Sequence, residues 1–198
     1  MSTTFHLARH GEHDQVDRTL CGRMPSVTLN ARGKEQARAA GRRLTDLRPL
    51  RILTSPLERA RQTADIIGEQ TGCPIENAEA LQEIDCGEWT GKAFDDLHRD
   101  PRWKDWNEAR SVTRPPGGEM MIEVQARVVS YLERLRRLYQ SGRLVLVSHS
   151  DVIKAAILFH LGMSLDLFSR IELAPGSVST LIVGDWGAKL VSLNETST

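Results

Sequence analysis

The apolar runs of this chain predict an α/β fold, a three-layer sandwich with a mainly parallel central sheet and helices on both faces. Three observations carry that reading. Leu144-Val-Leu-Val147 is wholly apolar and β-rich, as parallel strands covered on both faces are. Shorter runs at Phe5 to Ala8 and Arg51 to Thr54 each lead into a stretch with helical periodicity. The resulting order, strand and helix alternating before two closing strands, is that of a sheet layered between helices.

Each element has its own signal. Behind the strand at Phe5, the residues Ala37, Ala40, Leu44 and Leu47 recur at helical spacing after Gly33. The second strand runs into Ser55-Pro-Leu-Glu58, which reads as a capping box with Ser55 at N-cap, Pro56 at the first helical position and Glu58 at the third. Leu57, Ala60, Ala64 and Ile67 give that helix its apolar stripe. A less regular middle follows. Met121, Val124, Val128, Leu132 and Leu135 then mark a long amphipathic helix that stops near Gly142. After the strand at Leu144, Ser150 or Asp151 caps a helix through about His160. Ser179 to Val183 and Lys189 to Leu193 are the closing strands, with Asp185-Trp-Gly187 as their turn.

Composition narrows the function classes. With 198 residues, 40% of them hydrophobic, the chain buries a core without disulfide or metal staples, so a single domain over 1–198 is expected. The turn-rich Thr113-Arg-Pro-Pro-Gly-Gly118 is too short to be a linker. Lys and Arg number 26, as do Asp and Glu, and that balance argues against nucleic-acid or anionic-membrane partners. No apolar run approaches the roughly 18 residues of a membrane span. Cys21, Cys73 and Cys86 form no CxxC pair and follow no export signal, so the expected compartment is reducing and cytoplasmic.

Several chemistries lack their usual handles. There is no GxxxxGK[ST] loop, no GxGxxG and no GxSxG elbow. The triad letters of Ser148-His149-Ser150-Asp151 are neighbours leaving a strand, and do not converge as nucleophile, base and orienter. His6, His10 and His13 invite a metal reading. On an extended segment, however, His6 and His10 lie roughly 13 Å apart at ~3.3 Å per residue, too far to share one ion. No metal and no cofactor are expected.

What remains is positional. Arg9-His10-Gly11-Glu12 follows the first strand, Ser55 to Arg59 the second, and Ser148-His149-Ser150 the third. In an open parallel sheet the carboxyl ends of the strands line the ligand crevice, so these segments meet at one edge. Two arginines and two histidines there describe a site for a small dianion such as phosphate.

The motifs Leu7-Ala-Arg-His-Gly-Glu12, Ser55-Pro-Leu-Glu-Arg-Ala-Arg-Gln-Thr-Ala64, Glu83-Ile-Asp-Cys-Gly-Glu-Trp-Thr-Gly91, Pro116-Gly-Gly-Glu119 and Val147-Ser-His149 together resemble the ordered motif set of the histidine phosphatase superfamily, in its phosphoglycerate mutase-like branch. The resemblance runs from residue 5 to about residue 160. It implies that His10 is the phosphate-accepting nucleophile, that Arg9, Arg59 and His149 clamp the phosphate, with Gly11 and Ser150 beside it, and that Glu83 donates the proton. It further implies a small phosphorylated metabolite as partner.

These residue types suit the reaction. Phosphoryl transfer spreads charge over three equatorial oxygens, and catalysis is positioning and electrostatic stabilisation. Arginine supplies paired donors to phosphate oxygens. Arg59 sits in the first turn of its helix, where side chains tilt back toward the helix N-terminus and its positive end. His10 must be neutral to attack, and neighbouring positive charges favour that form.

Bland readings stand beside these. Arg59 and Arg61 could pair with Glu58 or Asp65 on the surface. Gly87, Trp89 and Gly91 read as a turn with a packed indole, Trp103 and Trp106 as core or lid packing, and Cys21 and Cys86 as structural. The segment from about Lys92 to Gly118 is expected to cover the site.

Two departures bear on substrate. Mutases of the family carry Asn a few residues after RHG, where this chain has Gln15-Val16, and Gly after the second His, where it has Ser150. The chain is also short for the middle insertions that mutases of the family use to hold a bisphosphate. A metal-independent phosphatase acting on small phosphomonoesters is therefore the first expectation, with a phosphoglycerate mutase-type phosphotransferase as the alternative. A catalytically weak phosphate-binding regulatory domain ranks third. The closing strands offer a sheet edge to a second copy, which leaves a homodimer open.

Overall fold

The computed structural model describes residues 1–196, so the last two residues of the domain expected over 1–198 lie outside the described residues. Six strands, β1 (Ser2–Arg9), β2 (Arg51–Thr54), β3 (Ile75–Asn77), β4 (Arg143–Ser148), β5 (Val178–Gly184) and β6 (Gly187–Glu195), form one sheet in the order β3-β2-β4-β1-β5-β6. The pairs β3-β2, β2-β4 and β4-β1 are parallel, and β5 and β6 complete the other edge antiparallel.

Alternation along β4 builds the layers. Leu144 and Leu146 face one core with α5 (Met121–Leu138) and α6 (Ser150–His160), while Val145 and Val147 face a smaller core with α1 (Ala31–Asp46) and α2 (Glu58–Thr71). All four are fully buried, each contributing roughly 1.5–3 kcal/mol by removal from water. Met121, Val124, Val128, Leu132 and Leu135 are the buried stripe of α5, as their spacing predicts.

The differences from the sequence reading are local. Strand β1 begins at Ser2 because β5 pairs with it from Ser2 to Ala8. The irregular middle contains β3 and two short helices, α3 (Phe94–Leu97) and α4 (Pro101–Glu108). The start of α4 was legible: Asp100 accepts from the Arg102 N–H and Pro101 opens the helix. Trp103 and Trp106 of this segment pack against Trp89, with ring centroids 5.4 and 5.7 Å from it. The segment does not roof the sheet edge; its contribution to the cleft described below is Phe94.

Two caps are corrected. The capping box at Ser55 does not form: Leu57 is the N-cap of α2, and the Ser55 hydroxyl, which accepts from the Leu57 N–H at 3.3 Å, also lies 2.8 Å from His149 Nε2. At α6 the N-cap is His149, and neither Ser150 nor Asp151 caps it; Ser150 is already its first helical residue.

A backbone contact fixes the loop after β1. A Cβ on Gly11 would fall 2.3 Å from the Gly33 carbonyl oxygen, and one on Gly33 2.0 Å from the Glu12 oxygen. Only glycine at both positions permits that approach. Gly33→Ala should lower stability by roughly 3 kcal/mol, the upper range for overpacking, whereas Gly72→Ala, with nothing within 4 Å and a φ of 70°, should cost less. Chemical denaturation of the two variants checks this, and equal midpoints would disprove the contact.

Candidate active site

The carboxyl ends of β1, β4 and β2 lie level. Arg9 is opposite Ser148, and Thr54 opposite Val147, so His10, His149 and Ser55 leave the sheet side by side. The His10 N–H donates to the Ser148 carbonyl at 3.0 Å and the Ser55 N–H to Val147 at 2.9 Å, continuing the ladder into the loops. Here a cleft of about 220 Å³ opens, lined by Arg9, His10, Arg59, Glu83 and Ser150 among others.

The His10 ring is oriented by its own loop. Nδ1 lies 2.8 Å from the Gly11 carbonyl, which can only accept, so Nδ1 carries the proton and Nε2 keeps its lone pair. Gly11 itself does not line the cleft. Its N–H donates to Thr63 Oγ1 at 3.1 Å, and Thr63 donates onward to the Arg59 carbonyl at 2.7 Å, so Gly11 ties the loop to α2 instead of offering an amide to a ligand.

His149 stands 5.1 Å from His10, centroid to centroid. Its Nε2 is 2.8 Å from Ser55 Oγ, and its buried Nδ1 has no partner. Arg59 is 2% exposed: Nη2 donates to the Gly22 carbonyl at 2.7 Å, and Nε and Nη1 have no partner. Arg9 donates from Nη1 to the Leu173 carbonyl at 2.5 Å and leaves Nε unpartnered. Buried N–H groups without acceptors are costly, and Arg9 and Arg59, which carry them, line the same cleft. The surface pairing read for Arg61 is correct, since it bonds Asp65 at 2.8 Å; for Arg59 it is not.

Glu83 enters from the loop after a 3-10 turn at Glu79–Leu81. Its carbonyl accepts from Arg23 Nε at 2.8 Å and Arg127 Nη2 at 3.3 Å, and both arginines bond the Glu119 carboxylate. Arg23 and Arg127 thus fix the Glu83 backbone. Sequence reasoning missed them, although Glu119 closes the motif Pro116-Gly-Gly-Glu119. It also missed His13, stacked on His10 at 5.3 Å, and Asp151, whose Oδ2 accepts from Arg110 at 3.0 Å. His6 belongs elsewhere, bonded to Thr180 at 3.2 Å.

Burial dominates the titration. It holds His10 well below the usual histidine range, with Arg59 and then Arg9 adding to the effect, so neighbouring charge is the lesser cause. His149 is likewise lowered, by burial, Arg59 and His10, which makes it a neutral donor and not an imidazolium. Burial first, and the Asp151 charge second, push Glu83 up to about 7. The 3.8 Å approach of Glu83 Oε2 to His149 Nδ1 is therefore not an ion pair between charged groups. The thiols of Cys21 and Cys86 are raised by burial, which keeps them protonated as structural cysteines are.

A parallel α/β sheet bearing a neutral histidine, two buried guanidiniums and a raised carboxyl at its carboxyl edge defines an enzyme class that handles phosphoryl groups. The chain matches the sequence model of the histidine phosphatase superfamily (branch 1) over residues 5–196, and it belongs to that family. It is 32% identical over 179 residues to the Salmonella paratyphi C protein named "Probable phosphoglycerate mutase GpmB", covering 89% of this chain and 83% of that one. Bacillus stearothermophilus YhfR superposes with a TM-score of 0.92 at 28% identity, over 98% of each chain. The mycobacterial glucosyl-3-phosphoglycerate phosphatase Rv2419c does so with 0.88 at 26% identity, over 98% of this chain and 99% of that one. The fold is phosphoglycerate mutase-like, as its motifs imply, and no described helix is long and apolar enough to cross a membrane.

The buried histidines predict a pH dependence. His6 and His13 are lowered from 6.5 to about 4, and His10 and His149 lie well below 6.5. Each binds its proton more weakly folded than unfolded, so the stability it gives is full above 6.5 and is lost as pH falls toward 4. Glu83, raised from 4.5 to about 7, acts in the opposite sense, one group against four. The melting temperature should therefore fall from pH 7 to pH 5, while ¹⁵N spectra at pH 6 show His10 neutral with the proton on Nδ1. A charged His10 at pH 6 would contradict the assignment.

Proposed function

We propose that this protein is a metal-independent phosphatase that hydrolyses small phosphomonoesters through a phosphohistidine on His10. One observation carries the reading: Arg9 and Arg59, each with buried nitrogens that have no partner among the described residues, line one cleft with a neutral His10, and His149, its Nδ1 likewise unpartnered, stands 5.1 Å from that ring. Two guanidiniums balance the phosphate dianion without a metal ion. The Ser55 hydroxyl donates to His149 Nε2, so that Nδ1–H donates to a phosphate oxygen.

Nε2 of His10 attacks phosphorus in line, the P–O ester bond breaks, and the departing alkoxide takes the proton of Glu83. Glu83, now a carboxylate, removes a proton from water whose oxygen attacks the phosphohistidine. The P–N bond breaks, releasing phosphate and restoring neutral His10 and protonated Glu83. A carboxyl held near 7 serves both halves at neutral pH. The likeness to GpmB favours a second reading, a mutase, in which a substrate hydroxyl replaces water. Isotope exchange between phosphoglycerates that depends on a bisphosphate primer would support it, and release of phosphate from several monoesters supports the phosphatase.

Brief reaction with a ³²P-labelled phosphomonoester and quenching should trap an acid-labile, base-stable label on the wild type and none on His10→Ala. Equal labelling of the two, or no label on either, overturns the covalent route. Glu83→Gln should lose roughly 10²-fold or more in kcat/KM with alkyl phosphates, within the range for general acid catalysis, and far less with p-nitrophenyl phosphate, whose leaving group needs no proton. Equal losses with both esters would remove Glu83 as the acid.

A further inference from the structure

The residues that line the outer part of the cleft carry charge of one sign. Among the described lining residues the cations are Arg9 and Arg59, the two that would take up the phosphate dianion. His10 and His13 are neutral at pH 7. Beyond them stand Asp17 and Asp151. Asp151 is balanced from behind by Arg110, which is itself clamped between Trp106 and Phe168 at 3.6 and 3.9 Å. No described cation lies within ion-pair distance of Asp17. With a phosphate dianion on the two arginines and Glu83 protonated, as the hydrolytic reading requires, Asp17, exposed at the edge of the cleft, is the lining carboxylate left without an ion-pair partner among the described residues.

Asp17 is held there by a strained backbone. Its φ is 60°, in the left-handed region that few residues other than glycine adopt, and such outliers persist where the surroundings impose them. The surroundings are a short antiparallel ladder. Leu20 N–H donates to the Lys92 carbonyl at 2.9 Å, Phe94 N–H donates to Arg18 at 3.1 Å, and Thr19 pairs with Ala93. That ladder brings Phe94 and Asp17 to line the same cleft. A carboxylate and an aromatic face together recognise an organic ammonium. The unpartnered nitrogens of Arg59, 2% exposed, fix the other end of the ligand as an anion.

We infer that Asp17 and Phe94 select phosphomonoesters whose leaving group carries an ammonium, and disfavour leaving groups bearing a carboxylate or a second phosphate. The inference rests on the hydrolytic reading above. An acidic substituent would face Asp17 and Asp151 with no cation left to receive it, whereas a single positive charge completes the balance. The same accounting disfavours a bisphosphate in this cleft.

O-Phosphoethanolamine and 2-hydroxyethyl phosphate are near isosteres that differ in that charge. The wild type should turn over the first with a kcat/KM about fivefold or more above the second, the scale of one partly exposed ion pair with an aromatic contact. 3-Phosphoglycerate should fall below both. Asp17→Asn should bring the ratio of the first two to near one, through KM. Equal rates in the wild type, preference for 3-phosphoglycerate, or a ratio that Asp17→Asn leaves in place would overturn the inference while the hydrolytic reading stands. If no ester is turned over, the hydrolytic reading fails by itself. Calorimetric binding of the two isosteres to His10→Ala then decides the selectivity: tighter binding of O-phosphoethanolamine supports it and equal binding overturns it.

Discussion

Arg9 lies opposite Ser148 and Thr54 opposite Val147 because β1, β4 and β2 run parallel in one register, and that alignment decides where three separate segments leave the sheet. A slip by one residue along any of these strands would turn its buried side chains to the other face, moving Val145 and Val147 from the core under α1 and α2 to the core under α5. The hydrophobic alternation that holds the layers together therefore also sets the distance between His10 and His149 at the carboxyl edge of the sheet. Packing and chemistry are not separable at this edge.

The polar groups at that edge run against ordinary folding economy. Unpartnered N–H groups on two guanidiniums and an imidazole, all largely buried, weaken the folded state, and the surrounding structure has to compensate. Part of the compensation is visible: Arg59 retains the Gly22 carbonyl and Arg9 the Leu173 carbonyl, so each guanidinium is anchored at one nitrogen and open at another. Anchoring at one end limits the conformational entropy lost when an anion binds, and prepares the donors in advance.

The layered fold was legible because its signals are local and repeated. The apolar run at Leu144 and the stripe from Met121 to Leu135 each state their element without help from the rest of the chain. The site was legible as far as strand ends could place it, which covered Arg9, His10, Arg59, His149, Ser150 and, through its motif, Glu83. The misreadings share a cause. The caps read at Ser55 and at Ser150 or Asp151 came from local chemistry, and tertiary partners intervene at both: the Ser55 hydroxyl meets His149 besides accepting from the Leu57 N–H, and the Asp151 carboxylate accepts from Arg110. Asp151 and the arginines behind Glu83 gave no periodic or motif signal, because their partners come from remote parts of the chain.

The placement of β1 also has a consequence for how the protein is made. Of the six strands described, β1 is made first, and it sits between β4 and β5, so both of its hydrogen-bonding edges wait for residues 143–148 and 178–184 to be synthesised. Arg9 waits as long, since its anchor at Leu173 is 164 positions further on. The nascent chain thus carries an unpaired apolar strand, with Phe5 and Leu7 uncovered, through most of translation, and the long sequence separations slow the final closure. More than a hundred residues must follow β1 before it can find either neighbour, so the window for mispairing is set by elongation speed as much as by stability.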